Sequence, residues 1–347
     1  MIHNSHSIST RQILALAAGG LAAYALIRRV IAERNRQDLG GKVILITGAS
    51  RGLGLVLARQ LAVRGSKIII CARDSSTLSR ATLELKTLGV DALGLSADIT
   101  DRSQVRDMIR TIISRYGTID ILINNAGIIQ VGPFETMEMD DFETAMKTNF
   151  WGALYCMQEV LPYFKTQKYG HIVNITSIGG KIAVPHMLPY TASKFALTGL
   201  SEGMHAELKK NKITVTTVVP NLMRTGSARQ ITVKGKHKAE YAWFKIAASS
   251  PLTAQHAERA AQQIIEGIEY RKAEIILTPS AKLATIIQGL APGFVSSVLA
   301  IVNVLLPSSP DIQKGRIARK GHESESMISR GFLTRSGNQA ALNNNEI

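Results

Sequence analysis

Seven short apolar runs, separated by longer segments of helical period, constrain this chain more than any other feature. They are KVILIT (42–47), KIIICA (67–72), the stretch 90–97, DILIN (120–124), HIVNIT (171–176), ITVTTVV (213–219) and EIILT (274–278). Their side chains are almost continuously Ile, Val and Leu, without the polar alternation of a half-exposed strand, so both faces of each strand must be covered. Helices between successive strands supply that cover and the crossovers that a parallel sheet needs. The expected fold class is α/β: a doubly wound parallel seven-stranded sheet over residues 40–280. With 45% hydrophobic and 19% charged side chains, 347 residues suffice for one large domain plus segments at either end. Residues 1–39 read as an N-terminal membrane-anchor candidate and linker, and residues 281–347 as a C-terminal apolar helical segment with a polar tail.

The first run leads directly into Gly48, Gly52 and Gly54, with Ser50, Arg51 and Leu53 between them. Three glycines at a strand-to-helix turn let backbone approach a pyrophosphate, while free N–H groups and the positive helix end stabilise its charge. An acidic residue ending the second strand would bond the ribose 2′-hydroxyl of NAD, but the chain there reads Ala72 and Arg73. Arg73 and Arg51 suit a 2′-phosphate instead, which makes NADP (NADPH) the preferred cofactor and NAD the second choice. Asp74, one position later, keeps NAD in view.

Tyr190 and Lys194 lie four residues apart, thirteen and more beyond Ser177. Residues i and i+4 share a helix face, so an ammonium there favours the phenolate of its neighbour. Each unit by which a phenol falls below about 10 takes about 1.4 kcal/mol of preference for the anion. Tyr190 then suits a proton donor to a carbonyl oxygen, and Ser177 a group that orients that oxygen. A second pair at the same spacing, Tyr241 and Lys245, has Ala228 thirteen residues upstream and so lacks the hydroxyl. His171, His186 and His205 come with no HExxH or Cys/His cluster, and no metal site is expected. Cys71 and Cys156 show neither a pairing framework nor ligand spacing, which suits a reduced compartment.

Taken in order and spacing, TGASRGLG (47–54), NNAG (124–127), Asn149 in KTNFWG, Ser177 in NITS and YTASK (190–194) resemble a short-chain dehydrogenase/reductase of the compact type. The resemblance covers roughly residues 40–278. It implies a Rossmann-like seven-stranded sheet, a nicotinamide cofactor, and a catalytic group of Asn149, Ser177, Tyr190 and Lys194, with Asn149 holding a water that links Lys194 to solvent. It also implies that Asp98, followed by Ile99, meets the adenine, and that Asn125, Ala126 and Gly127 line the cofactor cleft. Pro220 and Thr225 would border the nicotinamide. One departure stands out: Pro220 is followed by Asn221 where the family usually has glycine, and asparagine's tolerance of unusual backbone angles would preserve the turn.

The ends and the charge point to a surface partner. Residues 13–27 are uncharged and apolar, closed by Arg28 and Arg29 with Arg34 and Arg36 beyond. That run is short of the roughly 20 residues of a spanning helix, leaving a tilted span, an interfacial anchor or a helix packed on its own domain. Only Arg11 precedes the apolar run whereas four arginines follow it, a polarity that opposes a cleaved signal and places the catalytic domain on the cytoplasmic side. Residues 283–306 are apolar but interrupted by Pro292 and Gly293, so a broken helix pair is expected. The net charge of +15, with only 5% aromatic residues and no nucleic-acid motif, argues for a membrane surface or a phosphorylated cofactor over nucleic acid. The segment 222–250, basic around Trp243 and Phe244, reads as a cover for the substrate pocket that also suits phospholipid headgroups. From Pro307 the tail is polar and is expected to be poorly ordered or draped over the domain. These readings converge on a membrane-associated NADP(H)-dependent oxidoreductase that interconverts a lipophilic ketone or aldehyde and its alcohol. A homodimer or homotetramer through helices near 140–165 and 188–210 follows from the resemblance. The alternatives are a catalytically silent cofactor-binding scaffold at the membrane and a lipid-surface structural protein.

Overall fold

The structure, a computed structural model, describes Gly19, Glu33 and residues 36–250, 253–309 and 311–347. Apart from Gly19, the apolar run 13–27 lies outside the described residues. All seven expected strands form: β1 (Val43–Thr47), β2 (Lys67–Ala72), β3 (Ala92–Ser96), β4 (Ile121–Asn124), β5 (Gly170–Ile175), β6 (Ile213–Val219) and β7 (Glu274–Ile276). They make one sheet in the order β7-β6-β5-β4-β1-β2-β3, every neighbouring pair parallel. The order reverses between β1 and β4, and at such a switch the connections leave in opposite directions and open a crevice above the strand ends.

The two faces of the sheet divide by the period of two. Ile44, Ile46, Ile68 and Ile70 point to one side, against α1 (Gly52–Val63) and α2 (Ser75–Thr87). Val43, Leu45, Ile69 and Cys71 point to the other, against α3 (Arg102–Tyr116). Each such Ile or Leu, removed wholly from water, contributes about 1.5–3 kcal/mol. This two-sided burial is the physical reason the strands carry no polar alternation. Helix α3 shows the local signals at both ends: the Asp101 carboxylate accepts from Ser103 N and Gln104 N, and Gly117 ends the helix at φ +74°.

Helix α4 (Met139–Met146) continues through one π turn, Lys147–Trp151, into α5 (Gly152–Gln167). Helix α6 (Leu188–Leu208) carries Tyr190 and Lys194. After β6, the segment expected to be an irregular basic cover contains α7 (His237–Ser249). Three of the six cations in 222–250, Arg224, Lys234 and Lys245, are buried, while Lys236 and Lys238 stay exposed, so only part of the segment's charge faces outward as the headgroup-binding reading expects. Lys234 Nζ lies 2.6 Å from Asp141 and 3.1 Å from Glu138, Lys245 Nζ lies 2.7 Å from Glu325, and Phe244 is buried. Tyr241 of the second Tyr/Lys pair is buried as well, with its hydroxyl directed to Glu325 at 3.4 Å. These charges fall beside carboxylates distant in sequence, which neutralise them inside the fold.

Helix α8 (Ala257–Glu269) covers β7 and the first sheet face. Beyond β7, α9 (Pro279–Leu290) and α10 (Pro292–Val304) form the expected broken pair, bent by 119°. Among the described residues no single helix is long and apolar enough to cross a membrane, but this bent pair passes by length and composition. The polar tail is draped over the domain. Arg319–Lys320 pairs antiparallel with Thr232–Val233, and α11 (Arg335–Asn343) returns to the covering segment.

Candidate active site

The glycine turn is built so that a side chain at either end of it would collide with backbone. A Cβ on Gly48 (φ +63°) would lie 2.6 Å from Ala126 Cα, and one on Gly54 would lie 2.7 Å from Gly48 O and 2.5 Å from Asn125 Nδ2. Gly52 takes φ +58°, in the left-handed region. The NNAG segment is thus clamped onto the turn. Thr47 Oγ1 accepts from Asn125 N at 3.1 Å and Ala126 N at 3.2 Å, while Asn125 Nδ2 donates to the carbonyls of Thr47 and Gly48, each at 3.0 Å. A cradle of backbone free of Cβ atoms at a helix start fits a dinucleotide pyrophosphate. Leu53 and Ser50 are buried behind it.

Beyond the end of β3, Asp98 Oδ1 accepts from the amide and hydroxyl of Thr100, both at 2.9 Å. Its Oδ2 lies 3.7 Å from Arg73 Nη1, a partly exposed pair that is weak and easily re-partnered. Ile99 is buried against Gly152. Arg51 is directed at Glu346 at 3.5 Å. On the far wall Pro220 O accepts from Ile178 N at 2.7 Å, and Thr225 is buried with its hydroxyl 2.8 Å from Ser227 Oγ. Asn221 keeps the turn, though not through a positive φ: its Oδ1 accepts from Leu222 N at 2.8 Å.

Lys194 lies between the NNAG segment and Tyr190. Its Nζ donates to Ile175 O at 2.8 Å and lies 3.5 Å from where a Cβ on Gly127 would stand. The same Nζ is 5.9 Å from the centre of the Tyr190 ring. Ser177 lies two residues beyond β5 and caps the turn that follows; its Oγ accepts from Gly179 N at 3.0 Å, and a Cβ on Gly179 would meet both that oxygen at 3.4 Å and Tyr190 Cε1 at 3.2 Å. Tyrosine ring and serine hydroxyl therefore converge beside the cleft. Asn149 sits in the π turn, where its Oδ1 accepts from Ile128 N at 2.8 Å and its Nδ2 donates to Ile128 O at 3.1 Å and to Ser193 Oγ at 2.8 Å. Ser193 donates in turn to Tyr190 O at 2.7 Å. Ser193 and Thr47 were not singled out from the sequence, although both lie inside the quoted motifs.

The electrostatics differ from the expectation for the tyrosine. Burial raises the Tyr190 phenol, with the adjacent Ser177 hydroxyl opposing, and Lys194 does not figure among the causes. Burial brings Lys194 itself down to about 8. Desolvation is the largest cause for both groups, because each side chain is enclosed by the fold. Of the histidines, buried His171 is pushed down to about 3 by desolvation and bonds Thr216, His205 bonds Val215 O, and His186 pairs with Glu240 at 2.9 Å. Cys71 and Cys156 are buried free thiols, both raised by desolvation.

Sheet order, glycine cradle and the Ser/Tyr/Lys wall define a dinucleotide-binding oxidoreductase. The short chain dehydrogenase family model matches residues 42–235, and the chain belongs to that family. A putative ketoacyl reductase of granaticin polyketide synthase from Streptomyces violaceoruber is 38% identical over 54% of this chain and 70% of its own length. Fatty acyl-CoA reductase from Acinetobacter baylyi is 32% identical over 79% of this chain and 88% of its own, and dehydrogenase/reductase SDR family member 7B from Rattus norvegicus is 30% identical over 84% and 91%. Among solved structures, a short-chain dehydrogenase/reductase from Burkholderia phymatum in complex with NAD shares the fold with TM-score 0.69 and 23% identity, over 74% of this chain and 96% of that one. The chain is an NAD(P)-dependent oxidoreductase.

Proposed function

We propose that the chain reduces a lipophilic ketone or aldehyde with NADPH, reversibly, at a membrane surface, with Tyr190 as the proton donor. The observation that carries this reading is the convergence of the Tyr190 ring and Ser177 hydroxyl beside Lys194, whose ammonium borders Gly127 of the cofactor cleft. A bound nicotinamide cofactor supplies the hydride. Ser177 orients the substrate oxygen by donating to it, and Tyr190 passes its proton to that oxygen. Lys194 carries positive charge below about pH 8 and steadies the phenolate left behind. Asn149, fixed at both ends of its amide, holds the π turn against α6 through Ser193.

Cofactor choice rests on Arg73 and Arg51 and on the lack of a carboxylate at the end of β2, where Ala72 stands. The lipophilic substrate and the membrane rest on α9 and α10, where Leu283, Ile286, Leu290, Phe294, Ile301 and Val304 are exposed. The fatty acyl-CoA and ketoacyl reductases among the relatives are in keeping with a long-chain carbonyl compound. Exposed Trp151, in the π turn that leads into α5, and Phe195 on α6 suit a homo-oligomer. The test is to follow NADPH absorbance with a panel of lipophilic ketones and aldehydes. Tyr190→Phe is expected to abolish turnover, about a thousandfold or more, while NADPH still binds; retained turnover rules out this proton donor.

A further inference from the structure

We infer that residues 343–347 are a built-in competitor for the dinucleotide, with Glu346 setting how tightly the cofactor binds. The inference rests on the reading of the glycine turn as the cofactor's phosphate site. Two groups by which that turn would hold an anion, Gly52 N and the Arg51 side chain, are engaged by this segment. Gly52 N donates to Asn344 O at 2.9 Å. The Glu346 carboxylate lies over the turn, with Oε1 2.9 Å from where a Cβ on Gly52 would stand and Oε2 3.5 Å from Arg51 Nε. That side chain is only 2% exposed, so a second anion cannot share its place without meeting a like charge in a poorly screened position.

The segment reaches across the cleft. On one side Asn345 Nδ2 donates to Ser50 O at 2.7 Å and Thr77 O at 3.2 Å, and Arg80 donates to Asn345 Oδ1 at 3.1 Å. On the other, Asn344 Nδ2 donates to Thr225 O at 3.3 Å and Gln230 Nε2 to Glu346 O at 3.1 Å. Ser50, Arg51, Gly52 and Thr225 are thus all contacted. Helix α11 delivers the segment through close packing that only small residues permit. A Cβ on Gly226 would lie 2.3 Å from Ala341 Cα, one on Gly337 would lie 2.3 Å from Ser249 Oγ, and Ser336 donates to Ser249 O at 2.7 Å.

The occupant is also built to leave. Glu346 Oε2 is buried without a hydrogen-bond partner among the described residues, and burial pushes the carboxyl up to about 7 against the opposing pull of Arg51. A buried carboxylate oxygen left without a donor is held at a cost, whereas a pyrophosphate at a helix start is stabilised by several. Exchange of one anion for the other, and not permanent closure, follows from that difference.

The experiment is calorimetric titration of the full chain with NADPH and with NADH, in wild type, Glu346→Gln and Asn345→Ala. Glu346→Gln keeps the shape and removes the charge; Asn345→Ala removes the anchors at Ser50 and Thr77 and leaves the charge. Both are expected to tighten dinucleotide binding, Glu346→Gln about tenfold, and to lower the KM for the cofactor in the same proportion. Measurable wild-type binding with equal or weaker binding in both variants overturns the competitor. Weaker binding would make the segment a clasp over the cofactor. No binding of either dinucleotide by any of the proteins overturns the cofactor reading beneath it.

Discussion

Replacing Lys194 by methionine should make the protein more stable while removing its activity. The ammonium is buried, and its lowering from 10.5 to about 8 measures how much the interior disfavours the charge. At about 1.4 kcal/mol for each tenfold, that gap corresponds to roughly 3 kcal/mol held in the folded state at neutral pH. Methionine fills similar space without charge but forfeits the bond to Ile175 O, worth about 1 kcal/mol. A net gain of about 2 kcal/mol at pH 7 is expected. The sign follows from proton counting. Between pH 8 and 10.5 the unfolded lysine holds a proton that the folded one has released, so wild-type stability from this group rises with pH across that window. Below pH 8 both states are charged and the full cost persists; above 10.5 both are neutral and it is gone. Urea unfolding of both proteins from pH 7 to 10 isolates the group, because the other lysines and tyrosines cancel in the difference. The gap should be widest at pH 7 and close as pH rises through the window. A variant less stable than wild type at pH 7, or a gap that ignores pH, would refute the reasoning.

Three further outcomes follow from the geometry. Gly54→Ala drives a methyl against Gly48 O at 2.7 Å and Ala49 Cα at 2.8 Å, backbone that cannot step aside; about 1–3 kcal/mol of stability and at least about tenfold in NADPH affinity should be lost, and unchanged titrations would discount the cradle. Arg73→Asp, at a side chain 63% exposed, should move cofactor preference towards NADH with little change in melting temperature; an unaltered ratio of kcat/KM for the two cofactors would reject the phosphate assignment. Leu290→Glu with Phe294→Glu, both on the exposed bend between α9 and α10, should weaken sedimentation with phospholipid vesicles about tenfold or more, whereas equal sedimentation would dismiss this hairpin as the membrane contact.

The sheet was legible because Ile44 to Ile46, Ile68 to Ile70 and Ile121 to Ile123 are buried on both faces, and burial of that kind writes itself into composition. The glycine turn and the Ser177, Tyr190 and Lys194 wall were legible because both need particular residue types at fixed local spacing. What escaped depends on partners far apart in the chain. Lys234 and Lys245 look like a solvated basic patch until Asp141 and Glu325 are brought to them. The stretch NNNEI looks like a featureless tail, since nothing in four polar residues and a final isoleucine announces that Gly52 N awaits one carbonyl and Arg51 one carboxylate. The raised phenol of Tyr190 belongs to the same class: spacing places an ammonium near it, but only the packed interior decides that desolvation prevails.

The wide turn at Lys147–Trp151 has a consequence for how the two sides of this helix evolve. An extra residue in one turn offsets the face presented before it from the face presented after it. The half beginning at Gly152 is thereby free to lay Cys156, Val160 and Phe164 on the sheet, while the turn itself aims Asn149 at Ser193. Deleting a single residue there would restore a regular backbone ladder and yet swing one of those two faces by about 100°. An irregularity that weakens the helix locally is what lets one continuous rod serve the core at one end and the chemistry in its middle.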